Sequence, residues 1–276
     1  MSVVALCAFA PPLPAVDFGR ALENLKLLKD AVKDTDVEEE RAIGHDAAAT
    51  LLGATRLVED RELQHYVNRV GMWLALQSDR PELAWRFAVL DNDNINAFAA
   101  PGGYVFVTKG LLVNLNNEAE LAGVLAHEIA HVVKKHHLKA LKKDAGIKLL
   151  GNLTQQALER KGHDTERLAA VAKGVKVLYA RGLDKQDEYE ADRLGVVLAA
   201  RAGYDPYGLP AVLQMLDSLD PGSGRLALLF KTHPKPADRL ARLDELMAGR
   251  LDAFADRPHG TERFIDAVSR LARPVD

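Results

Sequence analysis

The sequence predicts an α+β fold, mostly helical, with a small sheet of about three strands. Apolar residues recur at helical spacing on both sides of a short central region. That central region instead alternates apolar and polar residues between turn signals. No stretch repeats at a fixed period, which excludes a helical-repeat array and favours one domain over residues 17–276 after a leader at 1–16.

In chain order, Phe18, Leu22, Leu25, Leu28 and Val32 place a helix over 17–33, followed by helices over 37–52 and 60–77. Asp79-Arg80-Pro81 ends the third. Strands follow at 85–90, 96–99 and 104–107, separated by the turn clusters Asp91-Asn92-Asp93-Asn94 and Pro101-Gly102-Gly103. Beyond Thr108 the pattern is helical, with helices expected over 118–143, 147–160, 164–181, 184–202, 206–218, 236–248 and 261–272.

The 276 residues are 48% hydrophobic and 27% charged, the balance of a globular chain rather than a disordered one. A net charge of −3 and the lack of a basic stripe with interleaved aromatics argue against nucleic-acid binding. No run of eighteen apolar residues is present, so no membrane span is expected. The lone Cys7 excludes both an internal disulfide and a cysteine-based metal site. Residues 1–16 are apolar and proline-ended, and contain Ala8-Phe9-Ala10, the small-x-small form of a signal-peptidase site. No Lys or Arg precedes it, so the segment reads as a plain leader or a truncated export signal.

His127-Glu128-Ile129-Ala130-His131 carries the chemistry. Residues four apart share a helix face, so both imidazoles reach one ion, while the intervening glutamate sits close enough to act as a base without binding it. The alternative is a surface helix with two unrelated histidines. It fits poorly, because Leu121, Val124, Leu125, Ile129 and Val132 mark an apolar face beside the pair. A catalytic zinc needs a third protein ligand. His136 and His137 lack the glycine and spacing of an extended three-histidine motif, and Lys134-Lys135-His136-His137-Leu138-Lys139 reads as a solvated basic helix face. The acidic run Asp187-Glu188-Tyr189-Glu190-Ala191-Asp192 is the better source. Glu188 and Asp192 are four apart, so one carboxylate suits the metal and the other suits a ligand histidine. The plainer reading of this run is an acidic first turn complementing a helix dipole.

With these motifs in hand, the sequence resembles the gluzincin metallopeptidases of the HtpX, Oma and BepA kind, related to the CAAX prenyl protease. Four stretches within residues 37–247 carry the likeness: Asn96 to Leu111, Glu120 to His131, Glu188 to Gly195, and Thr232-His233-Pro234 with Arg239. The resemblance implies one zinc ion held by His127, His131 and Glu188, rather than Glu190, with Glu128 as catalytic base. It implies that Gly103, Tyr104, Val105 and Phe106 border the cleft, where an edge strand binds a protein or peptide substrate as an added strand. It places the loop at His233 near the metal, either capping the open position or donating to the reacting carbonyl. A plain loop before a helix is the alternative there. Arg239 is read either as a partner of the site's acids or as a surface ion pair, and Asp192 as the orienting carboxylate. The likeness is closest to the soluble, bacterial, cell-envelope branch without a helical-repeat domain. The expected role is endopeptidase action on unfolded or misassembled proteins in the periplasm. A zinc-bound chaperone with a histidine-capped site is the rival reading.

Overall fold

The computed structural model describes residues 36–144, 172–173, 182–220, 222–255 and 257–272. The leader at 1–16, the helix expected over 17–33 and the helix expected over 147–160 lie outside the described residues, as does most of that expected over 164–181.

The chain opens with α1 (Val37–Ala54) and α2 (Arg61–Leu76), capped by Asp36 and Asp60. The Asp60 carboxylate accepts from the amides of Glu62 and Leu63, satisfying two donors that the first helical turn leaves without partners. Three strands follow: β1 (Arg86–Leu90), β2 (Ala97–Ala100) and β3 (Tyr104–Thr108). Their spatial order is β1-β3-β2, with β1 parallel and β2 antiparallel to β3.

Alternation along the strands decides which residues meet which layer. Phe87, Val89, Ala97, Ala99, Val105 and Val107 join the main core with Leu63, Val67 and Leu74 of α2. Leu90 and Phe106 point the other way, onto Ala48 of α1. A one-residue slip would exchange the two faces, so the register is fixed by burial on both sides.

After the short α3 (Lys109–Leu112) comes α4 (Glu118–Val133), which contains the His-Glu-x-x-His motif. The Asn117 side chain accepts from the Glu120 amide at 3.0 Å, and the Glu120 carboxylate accepts from the Asn116 amide at 2.7 Å. This reciprocal cap fixes where the helix begins. Leu121, Leu125, Ile129 and Val132 bury its apolar face in the main core.

The helix expected to run unbroken over 118–143 does not. It ends at Val133, and α5 (His136–Asp144) begins after a two-residue turn. Lys135 makes that turn at φ 57°, the left-handed region, which costs a residue with a Cβ about 1–2 kcal/mol. Its Nζ lies 3.4 Å from the buried Glu40 carboxylate of α1, and its carbonyl accepts from Lys139 as α5 starts.

Further on lie α6 (Lys185–Arg201), α7 (Gly208–Ser218), α8 (Ala227–Thr232), α9 (Pro236–Met247) and α10 (Thr261–Val268). The last helix is shorter than expected, because residues 269–272 tighten into a 3-10 turn. Helix α8 falls in a stretch for which no helix was expected. Helices α4 and α6 pack closely against each other. A Cβ at Gly195 would stand 3.0 Å from the His127 amide nitrogen. Glycine there lets the backbone of α6 approach the motif helix and brings Glu188 and Asp192 within reach of both histidines.

One expectation about the sheet is overturned. Tyr104 to Val107 was to be an edge strand, yet β3 is central, flanked by β1 and β2. Both of its hydrogen-bonding edges are engaged, so Gly103, Tyr104, Val105 and Phe106 cannot receive an added strand. Among the described residues, the strand at the edge next to the motif helix is β2.

Candidate active site

Glu118 to Val133 is a helix, so His127 and His131 project from one face one turn apart. Both are buried. Their Nε2 atoms stand 3.0 Å apart. From α6, the Glu188 carboxylate meets them, with Oε2 3.7 Å from His127 Nε2 and Oε1 3.6 Å from His131 Nε2. Glu188 is fully buried, and its Oε1 has no hydrogen-bond partner. A buried carboxylate oxygen without a partner is costly unless a cation or donor meets it.

The spacing identifies what fits. Tetrahedral donors at metal–nitrogen lengths of about 2.0–2.1 Å stand about 3.3 Å from one another. The three pairwise distances, from 3.0 to 3.7 Å, bracket that value. The chemistry of the set, two imidazoles and a carboxylate, also suits a divalent ion with one open position. Glu188 rather than Glu190 faces the histidines. Glu190 projects from the outer flank of α6 beside His136.

Asp192, one turn beyond Glu188, accepts from His127 Nδ1 at 2.9 Å, which leaves Nε2 free to face the site. Arg239 of α9 then grips Asp192 with two hydrogen bonds, Nε at 2.9 Å and Nη2 at 2.5 Å. Arg239 is only 5% exposed, so it supports the site and is not a surface ion pair. Burial works against the charge on Asp192, but the guanidinium overrides it and holds the carboxyl well below its ordinary range.

His233 caps the C-terminus of α8, and Pro234 and Pro236 lead the chain away into α9. Its Nδ1 lies 2.6 Å from Glu188 Oε2, and it converges with His127 and Glu188 on one point, all ligand atoms within 4.8 Å. Two overlapping triads therefore share His127 and Glu188, one completed by His131 at shorter range and the other by His233. Burial opposes a charge on His233, yet the adjacent Glu188 carboxylate outweighs it and raises the imidazole above its usual value. Reciprocally, burial pushes Glu188 up while His233 and its neighbours bring it down on balance.

Glu128 lines the same cleft as His131, Glu188 and His233, with Asn96, Ala97 and Phe98 forming the opposite wall. Burial raises its carboxyl above the ordinary glutamate value. Such a group is a more willing proton acceptor than a solvated glutamate.

His136 and His137 correct the sequence reading. They do not form a solvated basic face. His136 is fully buried and His137 nearly so. The left-handed turn at Lys135 rotates both rings back over His131, with centroid distances of 5.1 and 5.2 Å. His137 lines the cleft, and burial pushes its imidazole down to about 3. The available signal was weak: Leu138, two residues on, is a core residue, whereas the neighbouring lysines suggested solvent.

A cleft lined by residues of β2, a helix carrying His-Glu-x-x-His and a glutamate from a second helix together fit a metallopeptidase site of the gluzincin kind. The chain belongs to peptidase family M48, whose sequence model matches residues 60–247. It is 32% identical over 214 residues to the beta-barrel assembly-enhancing protease of Escherichia coli K12, an alignment covering 74% of this chain and 43% of that protein. It is 27% identical over 215 residues to the mitochondrial metalloendopeptidase OMA1 of Schizosaccharomyces pombe, covering 77% of this chain and 62% of that one. With the mitochondrial metalloendopeptidase OMA1 of Bos taurus it shares 33% identity over 175 residues, 60% of this chain and 33% of the relative. The chain spans about half or less of the length of the bacterial relatives it matches. Among the described residues, no helix is long and apolar enough to cross a membrane.

Proposed function

We propose that this chain is a zinc-dependent endopeptidase of the cell envelope that hydrolyses peptide bonds in unfolded or misassembled proteins. The observation that carries the reading is the buried, unpartnered Glu188 Oε1 facing two imidazole nitrogens beside Glu128. A family member named for beta-barrel assembly supports the envelope setting, and metalloendopeptidases among the relatives support protein substrates.

His127, His131 and Glu188 would hold the ion, which supplies Lewis acidity to the scissile carbonyl and to water. Glu128 accepts the proton of the attacking water and delivers it to the leaving amine, for which its raised proton affinity suits it. The substrate lies against β2, where Asn96, Ala97 and Phe98 wall the cleft, and not along β3. Asp192, clamped by Arg239, holds His127 in the tautomer that presents Nε2.

Glu128→Gln tests the reading. The expected result is zinc content equal to wild type with cleavage of unfolded protein lowered about 10²–10⁴-fold, the scale of a lost general base. Full proteolysis by the variant would remove Glu128 from the mechanism. Wild type free of zinc after metal reconstitution would remove the metal.

His233, 2.6 Å from Glu188, supports a second reading in which the resting site is closed and activity is low. His233→Ala then cleaves unfolded protein faster than wild type at equal zinc loading. Equal inertness of both zinc-loaded proteins would favour a chaperone or scaffold role.

A further inference from the structure

We propose that His136 is a positioning residue for the metal site, accepting a hydrogen bond from His131 and passing it on to Glu190 and Asp187. The proposal rests on the metal reading above. His131 presents Nε2 toward His127 and Glu188, so its Nδ1 lies on the far side of the ring. A neutral imidazole that offers a lone pair at Nε2 carries its hydrogen on Nδ1. His131 is only 1% exposed, so that hydrogen needs a protein acceptor. His136 Nδ1 is there, at 3.0 Å.

Direction then follows link by link. To accept at Nδ1, His136 must carry its own hydrogen on Nε2. That atom is 3.3 Å from Glu190 Oε2 and 3.5 Å from Asp187 Oδ1, both acceptors from the first turns of α6. The chain of bonds runs from His131 Nδ1–H to His136, and from His136 Nε2–H to the carboxylates. Reversing it would place a hydrogen on His131 Nε2 and block the ligand atom. The two histidine ligands are therefore held differently. His127 leans directly on the Asp192 carboxylate, which Arg239 clamps, whereas His131 leans on a neutral imidazole with the acidic groups one step further out.

The backbone is shaped for this contact. In an unbroken helix, five residues advance about 500°, so His136 would point roughly 140° away from His131. The left-handed Lys135 interrupts the helix and brings the two rings to a near-perpendicular 74°. A histidine kept only for packing would not need both ring nitrogens directed at polar partners.

The test compares two variants of equal polarity in the full chain. The amide of asparagine lies near the position of an imidazole Nδ1, and that of glutamine near Nε2. His136→Asn keeps an acceptor for His131. His136→Gln loses it while keeping a contact toward Glu190. Zinc affinity is measured by competition with a chromophoric chelator, and the d–d spectrum of the cobalt-substituted protein reports ligand geometry. Melting of the metal-free protein checks folding. The expected result is zinc affinity about 10–100-fold weaker in His136→Gln, the scale for loss of a residue orienting a metal ligand, with a displaced cobalt spectrum. His136→Asn recovers most of the affinity at a similar metal-free melting temperature.

Equal losses in both variants would reduce His136 to packing and overturn the proposal. So would unchanged affinity in His136→Gln while wild type holds zinc. Two zinc ions per chain, with the second lost in Glu190→Gln, would make His136 a ligand of its own ion and also overturn it. A wild type that holds no zinc sinks the metal reading and this proposal together, whereas any of the results above with zinc held by wild type sinks this proposal alone.

Discussion

Arg239→Met removes a buried guanidinium and leaves an unbranched apolar stem in its place. Its partner Asp192 is 2% exposed and keeps only the hydrogen bond from His127 Nδ1. Losing one member of a buried ion pair leaves an uncompensated charge, and costs about 3–5 kcal/mol. Adding Asp192→Asn replaces that charge with an amide, whose unmet hydrogen bond costs about 1–3 kcal/mol. The double variant is therefore expected to be about 2 kcal/mol more stable than Arg239→Met alone. Urea unfolding of the metal-free proteins at pH 7 reads both differences as shifts in midpoint at constant slope. Metal-free protein is the right sample because a bound ion would add its own stabilisation. A loss below about 1 kcal/mol in Arg239→Met is what an exposed ion pair gives. That result, or no recovery on adding Asp192→Asn, would refute the account of a buried clamp behind His127.

Two further expectations concern stability. Glu118 at the start of α4 accepts from the hydroxyls of Tyr66 and Tyr204, each at 2.8 Å, and from Arg263 of α10. Glu118→Ala strands two buried hydroxyls at about 1–3 kcal/mol each, so thermal melting falls. Metal affinity measured by chelator competition stays unchanged, because residue 118 lies about 14–20 Å along the helix from the two histidines. Acid sensitivity should come from His137, pushed down to about 3 by burial. Its ordinary value in an unfolded chain is about 6.5, so as pH falls between about 6.5 and 3 the unfolded state takes up the proton first. Stability is thus lost through that window by up to about 1.4 kcal/mol per pH unit from this group. Urea midpoints of the metal-free protein against pH should flatten in His137→Leu, and an unchanged slope would show that His137 is not held neutral.

Much of the architecture was legible because it follows from local periodicity. The strands at 86–90, 97–100 and 104–108 fall within a residue or two of where alternation and turn residues placed them. Helices α1, α2, α6 and α9 begin and end close to the expected positions. The failures have a common cause. Nothing local distinguishes a central strand from an edge strand, so β3 was misplaced in the sheet order. Nothing local announces a left-handed lysine either. Lys134-Lys135 looked like solvated helix, while the tertiary partner Glu40, almost a hundred residues earlier, holds the turn from α1.

The site divides along the same line. By itself the sequence determined that His127 and His131 share a face and that Glu128 stands beside them, because one helical turn dictates it. It also showed that Glu188 and Asp192 form a second matched pair, and family likeness assigned their roles. Only the tertiary structure decided how the two pairs meet, through the close α4–α6 crossing at Gly195 that brings the Glu188 carboxylate 3.6–3.7 Å from both imidazoles. It also decided that Arg239 is buried on Asp192, that residues of β2 line the cleft, and that His136 Nδ1 lies 3.0 Å from His131 Nδ1. Helical spacing is a property of neighbours in the chain. Burial, hydrogen-bond direction and metal geometry depend on residues that only folding makes neighbours.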